Sequence, residues 1–286
     1  FFKQKTAYEI VDCDWSSDVC SSDLPSGDIF LDLGDRRLRA RRLVPARPDG
    51  LDRTTLVFLH EGLGCIEMWR DFPQRLCDSL SCSGLVYDRT GYGRSSPWPR
   101  DPGLRYMELE ADEVFPRLLA AASIDDCVLV GHSDGGTIAL NYAAADPEPL
   151  RAVVTLAAHA INEPICVKAI TRARELYATT DLRQKLSRYH DDVDATFHLW
   201  ADAWVTPGFE PMDANRRLPT VTVPVQAIQG EDDDYGSELQ LGIIAGKVGG
   251  YCETRLIPDC AHSPHLQQPN QVLAEIARFV APLALV

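Results

Sequence analysis

The chain has 286 residues, of which 45% are hydrophobic and 24% are charged, and its formal net charge is −14. This is the composition of a globular protein that can bury a full core, so fibrous, low-complexity and wholly disordered proteins are excluded. No apolar run approaches the roughly 20 residues that a spanning helix requires, and the acidic charge argues against nucleic acid, so we expect neither a membrane nor a nucleic-acid partner.

The first 24 residues show no sustained helical or strand periodicity. They resemble the translation of a sequencing-library adapter: residues 14–24 and 3–9 match its two constant parts, and residues 10–13 fall at the variable barcode. We therefore treat residues 1–24 as an artefactual or disordered tail and exclude it from fold reasoning. The tail holds two lysines against five acidic residues, so the rest of the chain is still acidic. We expect the native N-terminus to be missing, which leaves a lost signal peptide open.

Short apolar runs then alternate with helix-length segments. Continuous apolarity within a run indicates a strand that is covered on both faces, and this alternation predicts an α/β fold, a mostly parallel twisted sheet flanked by helices. The basic stretch 36–42 is expected to be the solvent-facing side of one strand. The predicted strands are 29–32, 38–43, 56–59, 84–87, 127–130, 152–156, 225–228 and 254–257. The predicted helices are 66–81, 107–122, 134–145, 239–248 and 271–280, the last ended by Pro282.

Residues 160–218 interrupt the alternation and show helical pattern only. Val193, Phe197, Trp200 and Trp204 are spaced by four, three and four, which places them on one helix face. We predict an inserted helical cap at 160–218 on a core formed by residues 25–159 and 219–286. The apolar face is expected to be the cap's own core or its seal against the main domain, and Trp200 and Trp204 are candidate pocket residues.

A candidate nucleophile lies in Gly131-His132-Ser133-Asp134-Gly135, which follows a predicted strand and opens a predicted helix. In this context a G-x-S-x-G sequence is typical of a nucleophile elbow, a tight turn that exposes the serine hydroxyl above the sheet. The helix start offers the free Asp134 N–H and its positive dipole end to an oxyanion.

A second glycine-rich segment, His60-Glu61-Gly62-Leu63-Gly64, follows an earlier strand. Its glycines let the backbone approach the elbow, so the Gly62 N–H is the candidate second oxyanion donor. With these two motifs the chain resembles the α/β-hydrolase superfamily over nearly all of residues 26–286. That family usually has Gly where this chain has Glu61. We expect His60 to brace the loop, and the loop at 88–95, which also resembles the family's, to be structural.

The resemblance implies the order serine, acid, histidine, and both partners occur downstream. The acidic run 231–234 follows a predicted strand, and a spacing of three from Gly230 favours Asp233, with the neighbouring acids left as alternatives. His262 follows the last strand and is the expected base. A base is needed because a hydroxyl is a weak nucleophile until its proton is removed, and the carboxylate orients that base.

Five further histidines are weaker candidates for the base. His265 competes locally with His262 but is expected to be a supporting or pocket-wall residue, and His132 and His159 are candidate pocket residues. His190 and His198 are expected to be structural or on the surface.

We therefore expect a serine hydrolase that acts on a small-molecule ester through an acyl-enzyme. The alternatives are a carbon–carbon bond hydrolase of aromatic ring-cleavage products, thioesterase, lactonase or amidase activity, and a catalytically silent binding protein. Ser133 argues against the dehalogenases and epoxide hydrolases of the superfamily, which use Asp. The histidines lack metal-ligand spacing and no phosphate loop follows the first strand, so no cofactor is expected. Seven cysteines after the tail, without paired spacing, favour a cytoplasmic location. The excess of Arg over Lys suggests a bacterial source, and the oligomeric state stays open.

Overall fold

A computed structural model describes residues 27–47 and 54–284, so the proposed tail lies outside the described residues. Within them, eight strands form one sheet in the order β1-β2-β4-β3-β5-β6-β7-β8. Strands β1 and β2 join it antiparallel, and all pairs from β4 to β8 are parallel. The expected mostly parallel α/β fold is thus confirmed. The strands are β1 (Asp28–Asp32), β2 (Arg37–Leu43), β3 (Thr55–Leu59), β4 (Gly84–Tyr87), β5 (Cys127–His132), β6 (Leu150–Leu156), β7 (Val225–Gly230) and β8 (Cys252–Ile257).

Helices follow most of the strands, and only helices lie between β6 and β7 in that fully described stretch. The α-helices are α1 (Phe72–Leu80), α2 (Tyr106–Leu109), α3 (Phe115–Ala122), α4 (Asp134–Ala143), α5 (Pro164–Thr179), α6 (Leu182–Leu186), α7 (Val193–Val205), α8 (Ala214–Arg217), α9 (Leu239–Lys247), α10 (Pro264–Gln267) and α11 (Pro269–Ala284).

The sheet is covered on both faces because alternate side chains of each central strand point in opposite directions. In β3, Leu56 and Phe58 belong to the apolar layer formed with α1 and α11. Val57 and Leu59 belong to the layer formed with α3 and α4, which continues into α5 and α7. Burial on both faces explains why this strand reads as an unbroken apolar run rather than an alternating one.

Some predicted helices differ in form or bounds from those expected. The segment predicted as one helix over 66–81 is a 3₁₀ helix, Ile66–Trp69, followed by α1, with Arg70 at a φ of 53° between them. Pro73 in the first turn of α1 lacks the N–H that a continuous helix would use, so the chain restarts there. The segment predicted as one helix over 107–122 is α2, a π-helical turn at Glu110–Val114 and α3 in succession. Conversely, α11 contains Pro282 and continues to Ala284 rather than ending at this proline.

The basic stretch 36–42 is not a purely solvent-facing strand side, and that prediction was wrong for Arg39. This side chain is 1% exposed and lies in β2, between β1 and β4. Its guanidinium contacts the carboxylates of Asp28, Glu67 and Asp88. The buried acids supply the partners that a buried Arg requires, which a pattern of alternating residues does not reveal.

None of the helices in the described parts of the chain combines the length and apolarity needed to cross a bilayer.

Candidate active site

The sharp turn after β5 presents Ser133. Its φ is 51° and its ψ is −118°, a conformation that residues with a side chain rarely adopt and that is typical of strained functional turns. The turn needs glycine at both flanks: a Cβ on Gly131 would lie 2.3 Å from the Gly135 carbonyl oxygen, and one on Gly135 would lie 2.0 Å from the Leu59 oxygen. Glycine is therefore required at positions 131 and 135 because other parts of the backbone approach them closely.

Ser133 and His262 meet at the carboxyl edge of the sheet. The Ser133 Oγ is 3.0 Å from His262 Nε2, although the two residues are 129 positions apart. Both side chains are nearly buried, with exposed fractions of 6% and 8%. The two loops follow parallel strands, whose carboxyl ends share one edge, and this brings the residues together.

Asp233 completes this chain of hydrogen bonds. The His262 Nδ1–H donates to Asp233 Oδ1 at 2.8 Å, so Nε2 is left to accept from the serine hydroxyl. The same carboxylate accepts from the backbone N–H groups of Tyr235 and Gly236 and from Gln229 Nε2. Of the acidic run 231–234 it is Asp233 that lies beside the imidazole, while Glu231 and Asp232 are exposed.

Two opposing effects set the pKa values of Asp233 and His262: burial of the two side chains and the attraction between them. Burial by itself raises the pKa of Asp233, but the charge and hydrogen bond of His262 hold that pKa below its ordinary value. Burial lowers the pKa of His262, and Asp233 raises it above the ordinary value. The pair is therefore arranged to hold a proton on the imidazole once the ring has received one.

The two candidate oxyanion residues lie on either side of the serine. Asp134 is the first residue of α4, whose leading N–H groups have no partner within the helix. Gly62 lies in the turn that follows β3 and packs under the Trp200 indole: a Cβ on Gly62 would lie 2.2 Å from Trp200 Nε1. A glycine is therefore required where α7 covers this loop.

The Asp134 carboxyl is buried among polar side chains that are separate from the Asp233 and His262 pair. Tyr106 Oη donates to it at 2.6 Å and Trp204 Nε1 at 3.3 Å, and the Arg89 guanidinium lies 3.7 Å away. Burial raises the pKa of Asp134. Trp204, a pocket candidate, thus joins α7 to the residue that follows Ser133.

His60 and His190 contact backbone groups. Nε2 of His60 accepts from the Arg89 N–H at 2.9 Å, which holds the loops after β3 and β4 together. His190 is buried, accepts from the Gly93 N–H and donates to the Leu63 carbonyl, so it ties residues 160–218 to the same loops. His198 is exposed beside Asp202.

The remaining pocket candidates surround His262. His159 lies with its ring 5.6 Å from that of His262 and 5.0 Å from Trp204, donates from Nε2 to the Tyr235 carbonyl, and leaves Nδ1 buried without a partner. Burial lowers the pKa of His159 to about 4. His265 lies on the other side, against the ring of Trp69, and does not contact the serine hydroxyl.

Tyr235 is a site residue that the sequence motifs did not single out. Its ring lies 4.6 Å from that of His262, and its hydroxyl is buried without a partner. Its position two residues after Asp233 is the signal that could have identified it, because that residue continues the same loop.

One group of residues in the described chain has the composition of a metal site: Cys65, Glu67 and Asp88 hold ligand atoms within 4.8 Å of one another. The Arg39 guanidinium already contacts both carboxylates. The chain thus supplies its own cation there.

A groove of about 820 Å³ lies beside α7, lined in part by Trp98, Leu104 and Leu199. None of Ser133, Asp233 and His262 lines it.

Comparison with known proteins identifies the family of this chain. The profile of a family described as "Alpha/beta hydrolase family" matches residues 56–276. Serine hydrolase BPHL from Mus musculus is 25% identical over 189 residues, which cover 64% of each chain. The sn-1-specific diacylglycerol lipase ABHD11 from Danio rerio is 31% identical over 105 residues, 37% of this chain and 32% of the relative. The chain thus matches less than two thirds of the length of these relatives.

Solved structures resemble the fold over almost its whole length. The proline iminopeptidase of Mycobacterium smegmatis superposes with a TM-score of 0.72 at 19% identity, covering 91% of this chain and 99% of that one. At this identity the likeness concerns the fold alone.

Proposed function

The chain belongs to the α/β-hydrolase family, and from that premise we propose that it is a serine hydrolase that cleaves a small carboxylic ester, or a related acyl bond, with Ser133 as the nucleophile. The observation that carries the proposal is the unbroken hydrogen-bond chain from Ser133 Oγ through His262 to Asp233, at 3.0 Å and 2.8 Å. Its order and orientation are those in which a base can remove the hydroxyl proton while a carboxylate steadies the imidazolium.

In the proposed reaction, Ser133 Oγ bonds to the acyl carbon as its proton passes to His262 Nε2. The same proton then moves to the leaving alcohol as the ester bond breaks and the acyl-enzyme forms. Water repeats the sequence, giving its proton to His262 and releasing the carboxylic acid and free serine. Asp233 stays ionised throughout, which its depressed pKa favours.

The oxyanion of the tetrahedral intermediate is assigned to the backbone N–H groups of Gly62 and Asp134. Asp134 heads α4, where the helix dipole adds positive potential, and Gly62 lies in the neighbouring loop under Trp200. Losing one such donor typically costs roughly 10²- to 10³-fold in turnover.

We further propose that residues 160–218 act as a cap over this site. Trp200 and Trp204 of α7 lie against Gly62 and Asp134, so the cap helix would cover both oxyanion donors. The aromatic rings favour an apolar acyl or alcohol group, while the unpartnered Nδ1 of His159 offers one acceptor to a substrate donor.

Chromogenic esters test the proposal. The protein should turn over p-nitrophenyl acetate or butyrate, and a serine-reactive organophosphonate should label Ser133. Ser133→Ala should reduce kcat by roughly 10⁴- to 10⁶-fold with the fold retained. A ring-cleavage product run in parallel tests the carbon–carbon hydrolase alternative. Ligand binding without turnover, or turnover that survives Ser133→Ala, would overturn the proposal.

A further inference from the structure

A second carboxylate–imidazole pair lies beside the catalytic one. His132 Nδ1 is 3.2 Å from Glu61 Oε2, and His132 Nε2 is 2.8 Å from the backbone carbonyl oxygen of His262. The His132 side chain is 3% exposed. Both contacts reach loops that the proposed mechanism uses.

Both partners of this ring are hydrogen-bond acceptors. A carbonyl oxygen only accepts hydrogen bonds, and an ionised carboxylate only accepts them as well. Burial alone would raise the pKa of Glu61, but the hydrogen bond from His132 holds that pKa below its ordinary value, so the carboxylate is ionised. Whichever way the ring is turned, each of its nitrogens faces an acceptor, an arrangement that favours a ring with two N–H donors.

Resting on the proposed function, we propose that the imidazolium of His132, paired with Glu61, is a positioning residue for the hydrolytic reaction. Glu61 directly precedes Gly62, and His132 directly precedes Ser133. The second contact of the His132 ring is the main-chain carbonyl of His262 itself. One charged ring thus joins the oxyanion loop, the nucleophile turn and the loop of the base. None of these contacts reaches the reacting atoms, so the pair acts through geometry.

The titratable side chains that face the His132 ring come from three segments. Glu61 approaches from the loop after β3, His262 from the loop after β8 with its ring 5.3 Å away, and His265 from α10 with its ring 4.6 Å away. Burial together with the nearby His132 keeps the pKa of His265 well below its ordinary value, so His265 is neutral. The only carboxylate among these groups is Glu61, which makes it the counter-ion of the ring.

The loop provides space for this carboxylate through Gly64. A Cβ on Gly64 would lie 2.5 Å from Glu61 Oε2, and the other near atoms belong to the same carboxylate. Alanine at position 64 would therefore displace the Glu61 carboxylate. This gives a way to break the pair without touching either of its members.

The first test reads the charge of the ring without substrate. In ¹⁵N-labelled protein at pH 7, the two ring nitrogens of His132, identified by their loss in His132→Gln, should both be protonated. In Glu61→Gln the ring should carry one proton, because the amide N–H can donate to the other nitrogen. A ring with a single protonated nitrogen in the unsubstituted protein would overturn the proposal, whatever its hydrolytic activity.

The second test measures, through kcat and KM, whether the pair positions the site residues. Glu61→Ala should lower kcat on p-nitrophenyl butyrate by roughly 10- to 100-fold, as expected for a displacement near 1 Å, with little change in KM. Glu61→Gln should restore most of that loss. The exposed Glu175→Ala serves as the matched control. An unchanged kcat in folded Glu61→Ala would overturn the proposal.

Gly64→Ala tests the same contact if Glu61→Ala does not fold. As a single substitution it should lower kcat, and an unchanged kcat in folded Gly64→Ala would contradict the inference. Where both single variants fold, adding Gly64→Ala to Glu61→Ala should lower kcat by less than about a further twofold because the two changes remove the same contact. Additive losses would show that Gly64 acts independently of the carboxylate and would contradict the inference. Should Ser133 escape organophosphonate labelling, the proposed function fails, while the ring signature still decides the charge of His132.

Discussion

Two buried charge clusters of this protein differ in one respect, the ability of the cation to lose its proton. Around Arg39, three carboxylates surround a guanidinium, and their charges raise its pKa further although burial opposes this. Around Ser133, the cation is the imidazolium of His262, which forms only when a proton is taken up. The Arg39 guanidinium keeps its proton and holds strands together, whereas in the proposed function the His262 imidazole passes a proton to and from a substrate. Burial and pairing alone therefore do not distinguish a structural cluster from a candidate catalytic one.

The contrast predicts a large catalytic loss with little loss of stability for Asp233→Asn. The amide can no longer hold the Nδ1–H tautomer or stabilise the imidazolium, so kcat on a p-nitrophenyl ester should fall by roughly 10⁴-fold. Steady-state kinetics together with thermal unfolding would check this. A loss below tenfold would mean that Asp233 is not the orienting acid, and Asp232→Asn is the control because its side chain is exposed.

The Arg39 cluster should respond in the opposite way. Arg39→Met removes the cation that Asp28, Glu67 and Asp88 share. Arg41 still contacts Asp28 and Glu67, but the buried Asp88 loses its cation, so the free energy of unfolding should fall by about 3–5 kcal/mol. Denaturant titration measures this, and kcat at a temperature where the variant is folded should change by less than about threefold. Arg41→Met is the matched control, since Arg41 is 28% exposed and its loss leaves Arg39 in place. A larger loss for the control would contradict a central role for Arg39.

The activity of the cluster around Ser133 should also depend on pH through the His262 side chain. His262 must be neutral to act as a base, and although burial lowers its pKa, Asp233 raises that pKa above the ordinary value. On the acid side, kcat/KM should therefore fall roughly tenfold per pH unit below that pKa. The stability contributed by the raised His262 pKa is present below the unfolded-state value and lost as pH rises through the folded-state value. A pH–rate profile shows the first effect, and a flat profile between about pH 5 and 8 would exclude His262 as the base.

The smallest expected effect concerns the link between α7 and the nucleophile turn. Trp204→Phe keeps an aromatic ring, although a smaller one than the indole, and removes the N–H that reaches Asp134 and Tyr106. Because Tyr106 and Arg89 still contact the carboxyl, we expect a loss of about 1–2 kcal/mol in unfolding free energy. Denaturant titration beside Leu199→Ala, a partly exposed residue of the same helix, would separate the polar contact from apolar packing. No loss in Trp204→Phe would show that the N–H is dispensable.

The sequence by itself determined the mostly parallel sheet, and it indicated the loops after the strands that carry the candidate site residues. Continuous apolar runs mark strands covered on both faces, and a glycine-flanked serine directly after such a run marks a turn, because both signals are local. The spacing from Gly230 also favoured Asp233, the acid that lies beside His262. Local patterns could not place helix boundaries at Pro73 or Pro282 with the same accuracy, since a proline's effect depends on which turn it occupies.

Only the tertiary structure decided which charges would be buried together. Arg39 looks like a solvent-facing residue of a basic strand until β1, β4 and the segment at Glu67 enclose it. Glu61 looks like a substitution for glycine until His132, 71 residues away, is seen to face its carboxylate. A buried charge is tolerated only where an opposite charge or a hydrogen-bonding partner lies beside it. In these two cases the partner comes from another segment, so the tertiary structure and not the local sequence decides which residues are paired.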